Sequence, residues 1–122
     1  MSELSMTDKM RIIQELVPGK QITLAHIIAN PDPILYEKLG LDPRKNRYRS
    51  AIGILTVSPC ETAVIAADIA MKTSAGTVEF VDRFTGTLIV TGSVSEVESA
   101  IGAVCEYTKE TLGYAVCPLT RT

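Results

Sequence analysis

One helix with an inner face built almost entirely from alanine constrains this chain more than any other segment. Small or slender residues recur there at three- and four-residue spacing, the period of one helix face: Ala63, Ala66, Ala67, Ala70, Met71 and Ser74. Such a face lets another backbone approach closely, which makes the helix a packing element rather than a catalytic one. Asp68 and Lys72, four residues apart, fall on the outer side.

The residues ahead of this helix predict where it begins. Ser58 is followed by Pro59 and, three positions after the serine, by Glu61. A serine hydroxyl and a glutamate carboxylate in this arrangement satisfy backbone N–H groups that the first helical turn leaves unpaired, and proline suits the first turn. The sequence therefore predicts a helix that begins directly after Ser58 and ends at Gly76.

Strand and helix patterns alternate from residue 51 onward. A capping box at Ser93 and Glu96 opens a second helix, which Gly113 ends. The predicted strands span residues 51–57, 77–82, 86–91 and 114–117, and the middle two form a hairpin. This order predicts an α+β fold with a ferredoxin-like βαββαβ core, in which two helices cover one face of an antiparallel sheet.

A less regular part precedes this core. Residues 20–28 have the pattern of a further strand, and residues 33–39 that of a short helix closed by Gly40. Residues 11–17 are also strand-like, although the predicted sheet is complete without them. A strand of this kind has an unpaired edge unless it pairs with another chain, which is a weak indication of oligomerisation.

Length and charge narrow the class of protein. At 122 residues and 13.2 kDa, the chain supports one globular domain, predicted to span residues 20–122 after a tail of residues 1–19. A net charge of −2 gives no reason to expect a nucleic-acid partner. No apolar run reaches the length of a membrane span, and the first ten residues lack the apolar core of a signal peptide, so we expect a soluble cytoplasmic protein.

No constellation for catalysis emerges from the sequence. Three cysteines at wide, irregular spacing suit neither a zinc site nor a disulfide framework, and an odd count fits a reducing cytosol. For His26, the single histidine, a packed or hydrogen-bonded structural role is favoured, and the same holds for Asp82 and Arg83 at the hairpin corner. Phosphate-loop and nucleophile-elbow motifs are absent, so we expect neither an enzyme nor a cofactor.

Four segments in combination resemble the bacterial microcompartment shell proteins. They are residues 51–56, 66–72, 81–86 and 92–94. In the common shell domain, a strand ending like residues 26–28 comes last together with its following short helix, whereas here both come first. The chain therefore resembles the circularly permuted EutS/PduU-type subfamily, which serves ethanolamine, propanediol and choline utilisation.

This resemblance implies a cyclic homohexamer that tiles with other shell proteins around aldehyde-processing enzymes in the bacterial cytoplasm. It places the hairpin corner at an axial pore, where Arg83, Phe84, Thr85 and Gly86 would offer a guanidinium, a hydroxyl and exposed amides to solutes. Six copies of the strand at residues 11–17 would close into a barrel that caps the pore. The barrel residues would be Ile12, Ile13, Gln14, Glu15, Leu16 and Val17.

The resemblance also marks a tile edge. Lys72 matches the edge lysine of the family, and Asp68 lies one helical turn before it. The common shell domain has an Arg-Pro pair near this edge, whereas this chain has Asn30 and Pro31, so Arg121 is the candidate replacement. The basic loop at residues 41–50 is longer than expected for the ethanolamine type. A solvated loop is its favoured interpretation, and contact with an acidic neighbour or cargo, including the enclosed enzymes, is the alternative.

Two other classes stay open at this point. A regulatory domain with a ferredoxin-like fold would bind a small molecule and assemble as a dimer or trimer. A ferredoxin-like hydrolase would need an anion-binding loop that the sequence lacks. Saturable binding of an amino acid or nucleotide would favour the regulatory domain over the shell protein.

Overall fold

The computed structural model describes residues 19–41, 50–73 and 76–122. These ranges contain six strands and three helices, in the order β1 Gln21–Ile28, α1 Pro33–Leu39, β2 Ala51–Ser58, α2 Thr62–Lys72, β3 Thr77–Asp82, β4 Thr87–Gly92, α3 Val94–Glu110, β5 Ala115–Val116 and β6 Thr120–Arg121. The α+β class is confirmed. The predicted strand at residues 11–17, most of the basic loop and Ser74 lie outside the described residues.

All six strands belong to one mixed sheet. Its order is β3-β4-β2-β1-β5, and β6 pairs with the far end of β1. The four longer strands pair antiparallel with one another, whereas β5 and β6 run parallel to β1. A ferredoxin-like core places its last strand beside its first. Here β1 takes that place beside β2, because it offers eight residues for pairing and β5 offers two.

Helices α2 and α3 cover one face of the sheet, as predicted. Their buried side chains meet those of β1, β2 and β4 in the main core: Ile22, Ala25, Ile27, Ala51, Leu55, Val57, Ala63, Ala66, Ala67, Ala70, Leu88, Val90, Val97, Ala100, Ile101 and Val104. The alanine face of α2 is thus confirmed. The placement of Met71 on that face was wrong, because Met71 lies two turns after the exposed Val64 and is itself 60% exposed.

Close contact between α3 and β2 depends on a glycine. A Cβ atom on Gly53 would lie 2.6 Å from Val97 Cγ1 and 3.0 Å from Ile101 Cγ1. Real Cβ atoms do not approach other carbons this closely, so these side chains or α3 itself would have to shift to admit even alanine. Gly53 therefore sets the distance between the helix layer and the sheet.

The two long helices begin differently. Ser93 and Glu96 form the predicted capping box of α3, because the Ser93 hydroxyl accepts the Glu96 N–H at 3.1 Å and the carboxylate accepts the Ser93 N–H at 2.8 Å. The capping box predicted at Ser58 was wrong. Ser58 stays in β2, opposite Gln21, and α2 begins only at Thr62, with no side-chain cap from Glu61. Ser58 therefore lies three residues before Glu61, the residue at the N-cap position of α2.

Helix α1 packs on the opposite face of the sheet. Tyr36 and Leu41 form a small second cluster with Ile52 of β2. The side chain of Asp32 accepts the Ile34 N–H at 3.0 Å at the start of the helix, and Gly40 ends it with a φ of 71°. The predicted short helix and its closing glycine are confirmed.

Candidate functional site

The hairpin between β3 and β4 turns at residues 83–86, as the sequence predicted. Pairing runs from Thr77 opposite Thr91 to Asp82 opposite Thr87, which leaves the four turn residues at one end of the sheet. Phe84 is 78% exposed there, whereas Gly86 is buried. We call residues 82–86 the corner.

Asp82 organises the corner. Its Oδ1 accepts the Phe84 N–H at 2.8 Å, its Oδ2 accepts the Thr85 hydroxyl at 2.8 Å, and its carbonyl accepts the Gly86 N–H at 2.8 Å. The hydrogen bond from the Phe84 N–H, followed by that from Thr85, lowers the pKa of Asp82 below the usual 3.8. Asp82 thus has the local structural role that the sequence favoured.

Arg83 and Phe84 form the exposed tip of the corner. The Arg83 guanidinium lies over the Phe84 ring, 5.0 Å from its centroid. Among the described residues, the ion pairs join Asp68 to Lys72 and Glu98 to Arg121. Arg83 therefore has no carboxylate partner among the residues that the structure describes.

The turn between β2 and α2 supports the corner from behind. Val57 donates its N–H to the Gly86 carbonyl at 2.9 Å. A Cβ atom on Gly86, whose φ is +76°, would lie 2.3 Å from the Val57 carbonyl oxygen and 3.1 Å from Cys60 Cα. Glycine is therefore required at residue 86 for both its conformation and its close contact.

The sequence placed Asp82 at the hairpin corner, but it predicted neither the hydrogen bonds of its carboxylate nor the contact with Cys60. The signal for Asp82 was present, because aspartate at the first position of a turn commonly accepts the N–H two residues on. Cys60 had no local signal. Its position next to Gly86 depends on how β2 and β4 pair, and no pattern within one segment reports that pairing.

The predicted tile-edge residues on α2 lie far from the corner. Lys72 Nζ and Asp68 Oδ2 are 2.9 Å apart, and both side chains are exposed. The hydrogen bond that Lys72 donates to the Asp68 carboxylate raises the pKa of Lys72. Helix α2 starts beside the corner and runs for eleven residues, a length of about 16 Å. The two predicted sites therefore lie at opposite ends of this helix.

Asn30 and Arg121 lie at the same far end of the sheet. Ile28 pairs with Ile52 at the start of β2, and the exposed Asn30 follows it two residues later. Ala29 donates its N–H to the Thr122 carbonyl at 2.8 Å, which brings Arg121 to this end as well. Arg121 forms an ion pair with Glu98 at 3.5 Å, whereas the partner of Lys72 is Asp68. The structure thus places these residues at one end without joining Arg121 to Lys72.

The single histidine is held by hydrogen bonds within the fold. The two ring nitrogens of His26 lie 2.6 Å from Thr120 Oγ1 and 2.9 Å from Thr122 Oγ1, which confirms its hydrogen-bonded structural role. The three cysteines are free thiols, and burial raises the pKa of Cys105 to about 11.

No group of three or more metal-ligating side chains occurs in the described ranges. No helix there has the length and apolar character needed to cross a membrane.

A protein-family model and several known proteins match most of this chain. The BMC domain model matches residues 51–120. The chain is 51% identical over 112 residues to the bacterial microcompartment shell protein PduU of Salmonella typhimurium, covering 92% of this chain and 93% of that protein. It is 45% identical over 115 residues to the shell protein EutS of Escherichia coli, covering 94% and 99% of the two chains.

A solved structure extends the comparison to the fold. The CutR flat hexamer superposes with a TM-score of 0.77 at 47% identity, covering 89% of this chain and 95% of that one. The matched family model covers more than half of the chain, and the relatives match it almost throughout. The chain therefore belongs to the BMC-domain family of bacterial microcompartment shell proteins.

Proposed function

We propose that this chain is a structural shell protein whose cyclic homohexamers tile, with other shell proteins, into a microcompartment shell in the bacterial cytoplasm. The observation that carries the proposal is the placement of the corner and the Asp68–Lys72 pair at opposite ends of α2. With the corner on a sixfold axis, α2 runs outward and brings Lys72 to the rim. The flat hexamer of CutR, a protein 47% identical in sequence, supports the hexameric ring.

The chain is a circularly permuted BMC domain in this proposal. The support lies in β1, which occupies the place beside β2 that a ferredoxin-like core gives to its last strand. The family model match begins only at residue 51, so β1 and α1 precede the matched part. Residues 20–122 form this domain, and residues 1–19 form a separate tail.

The tail provides a strand at residues 11–17 for a six-stranded barrel that caps the axial pore. Its point of attachment supports this role. Gln21 lies opposite Ser58, at the end of the sheet that carries the corner. The chain thus enters β1 at the axial end, where six tails would meet and pair their strand edges with one another.

The corner residues Arg83, Phe84, Thr85 and Gly86 line the pore in this arrangement, and the enclosed enzymes process an aldehyde. The protein itself has a structural role rather than an enzymatic one, in keeping with relatives that are shell proteins. A regulatory ferredoxin-like domain is the alternative from the sequence, and no observation favours it over a shell protein.

Electron microscopy of purified protein tests the tiling contact. We expect the wild-type hexamers to form extended sheets or tubes, and Lys72→Ala to suppress them while leaving the hexamer intact. The long apolar stem and charged tip of lysine suit a flat contact between neighbouring tiles, and alanine removes both. Lys38→Ala is the matched control, because Lys38 is an exposed lysine on α1, on the opposite face of the sheet.

The outcomes distinguish a contact between hexamers from a contact within one hexamer. Unaltered sheets in Lys72→Ala would contradict the edge role of Lys72. Loss of sheets in Lys38→Ala as well would show that assembly responds to surface charge in general and not to this contact. A Lys72→Ala protein that no longer forms hexamers would place the residue in the ring interface instead.

A further inference from the structure

The C-terminal segment, residues 114–122, runs back along helix α3. Two contacts fix its register on the helix. The Tyr114 N–H donates to the Thr108 carbonyl at 2.9 Å, and the Arg121 guanidinium lies 3.5 Å from the Glu98 carboxylate. The segment and the helix are therefore antiparallel, and the residues between these two contacts lie beside one another.

This register brings Cys117 to the level of Cys105. Val116 and Thr120, four residues apart, pair with β1 residues that are also four residues apart, so the segment stays extended between them. Cys117 comes slightly before the midpoint between the two contacts with α3. The corresponding part of the helix is about residues 103–105, which includes Cys105.

The two cysteine side chains also lie on facing sides. Cys105 follows Glu98 by seven residues, or two helical turns, so both belong to the stripe of α3 that faces the C-terminal segment. Cys117 precedes Arg121 by four residues, which places both on one side of an extended chain. Cys105 and Cys117 are both half-buried and both pack against the main core. The fold thus places two thiols side by side that are twelve residues apart in the sequence.

The two thiols have different environments. Burial, with a further contribution from Cys117, raises the pKa of Cys105 from 9.0 to about 11. Little of Cys105 is therefore thiolate at neutral pH, and the thiolate is the form that attacks a disulfide. Cys117 lies next to the exposed Pro118 and Leu119, where a small molecule can approach it.

We propose that Cys105 and Cys117 form a reversible disulfide, which fastens the C-terminal segment to α3 when a low-molecular-weight disulfide oxidises the pair. The Cys117 thiolate attacks one sulfur of the small disulfide and forms a mixed disulfide. One small thiolate leaves and takes up the proton that Cys117 lost. Cys105 then gives up its proton and attacks the Cys117 sulfur, and the second small thiol leaves. Two protein thiols are oxidised to one disulfide, and the small disulfide is reduced to two thiols.

The pair explains the odd cysteine count without a disulfide framework. Cys60 is the third thiol, and its neighbour Gly86 lies in the corner, away from this pair. The inference does not rest on the proposed shell function, because both cysteines belong to one chain. The segment that the disulfide would fasten includes β6, which pairs with β1, and Arg121, which pairs with Glu98.

Thiol counting on the full chain tests the disulfide. The protein is incubated with excess glutathione disulfide, quenched with acid and alkylated in denaturant, and mass spectrometry then counts the alkylated thiols. We expect the count to fall from three to one per chain, with one peptide pair joined through Cys105 and Cys117. Cys60→Ser is the matched control, and its count should fall from two to none. A full count of thiols after oxidation, or a disulfide between two chains or to Cys60, would overturn the proposal.

Single variants test the order of the two steps. In Cys105→Ser, we expect a stable glutathione adduct at Cys117, because the second attacking thiol is missing. In Cys117→Ser, Cys105 should form its adduct about tenfold more slowly than an unburied thiol, because its lower thiolate population outweighs the higher nucleophilicity of a more basic thiolate. Rapid adduct formation at Cys105, with none at Cys117, would overturn this order.

Thermal unfolding tests the fastening. A disulfide between residues 105 and 117 closes a short loop, so we expect oxidation to raise the unfolding midpoint by about 5 °C or more. Oxidised Cys60→Ser should show the same rise, and Cys117→Ser should show none. An unchanged midpoint in a protein whose disulfide is confirmed by mass would overturn the fastening role. The solution mass of the same samples reports on the shell function separately, since a ring that is absent in both redox states would contradict that function alone.

Discussion

Two glycines at the residue scale share one backbone conformation but differ in their surroundings. Gly86 has a φ of +76° and Gly113 a φ of +73°, so both lie in the left-handed region that other residues enter at a cost. A Cβ atom on Gly113 would meet no atom of the described residues within 4 Å, whereas one on Gly86 would lie 2.3 Å from a carbonyl oxygen. Conformation alone explains Gly113, and close contact is an added requirement at Gly86.

This difference gives a matched pair of substitutions. We expect Gly113→Ala to lower the free energy of unfolding by about 1 kcal/mol through backbone strain. Gly86→Ala should cost about 3 kcal/mol or more, because the corner must also move away from Val57 and Cys60. Urea unfolding of both variants measures the difference. If the two variants lost equal free energy of unfolding, the corner would be able to move away from Val57 and Cys60 without a further energetic cost.

The helices show, at the element scale, what local sequence can and cannot predict. The start of α3, the short α1 with its closing Gly40, and the β3–β4 hairpin all follow from residues a few positions apart, and each was predicted. The start of α2 was not. Ser58 has good capping chemistry, but its pairing with Gln21, far away in the sequence, holds it in β2. Competition between a local and a distant partner cannot be decided from one segment.

The capping box of α3 can be tested directly. We expect Ser93→Ala to lower the free energy of unfolding by about 1 kcal/mol, because the Glu96 N–H loses its acceptor and the reciprocal bond is weakened. Ser99→Ala, an exposed position within the same helix, should change stability by a few tenths of a kcal/mol at most. Thermal unfolding measures the stability of both variants. If Ser93→Ala and Ser99→Ala lowered stability equally, a stabilising cap at Ser93 would be ruled out.

Strand order decides the fold at the scale of the whole molecule. The sequence predicted the helices and β1 to β5 in chain order but not β6, and the strand patterns alone did not decide which strand pairs with β2. That choice depends on total pairing length and on the core formed with α2 and α3, which local patterns do not report. The same limit applies to the corner. The turn itself was predicted from its own residues, but its contacts with Val57 and Cys60 were not predicted, because those residues are distant in the sequence.

The proposed permutation makes a prediction about residues 1–17. We expect their deletion to leave the hexamer intact while opening its axis, because in the proposed arrangement residues 20–122 provide the ring interfaces. Light scattering gives the mass of the truncated assembly, and electron microscopy shows whether the axis is open. Collapse to monomers would mean that the tail, and not the domain, holds the ring together.

The solution mass of the full chain distinguishes a hexameric ring from smaller assemblies. A closed sixfold ring of 13.2 kDa subunits has a mass of six times that value, about 79 kDa. By light scattering on a sizing column, we expect this mass or larger sheets made from the ring. A uniform monomer, dimer or trimer at the same concentration would contradict the assignment of the corner to a sixfold axis and of Lys72 to a tile edge.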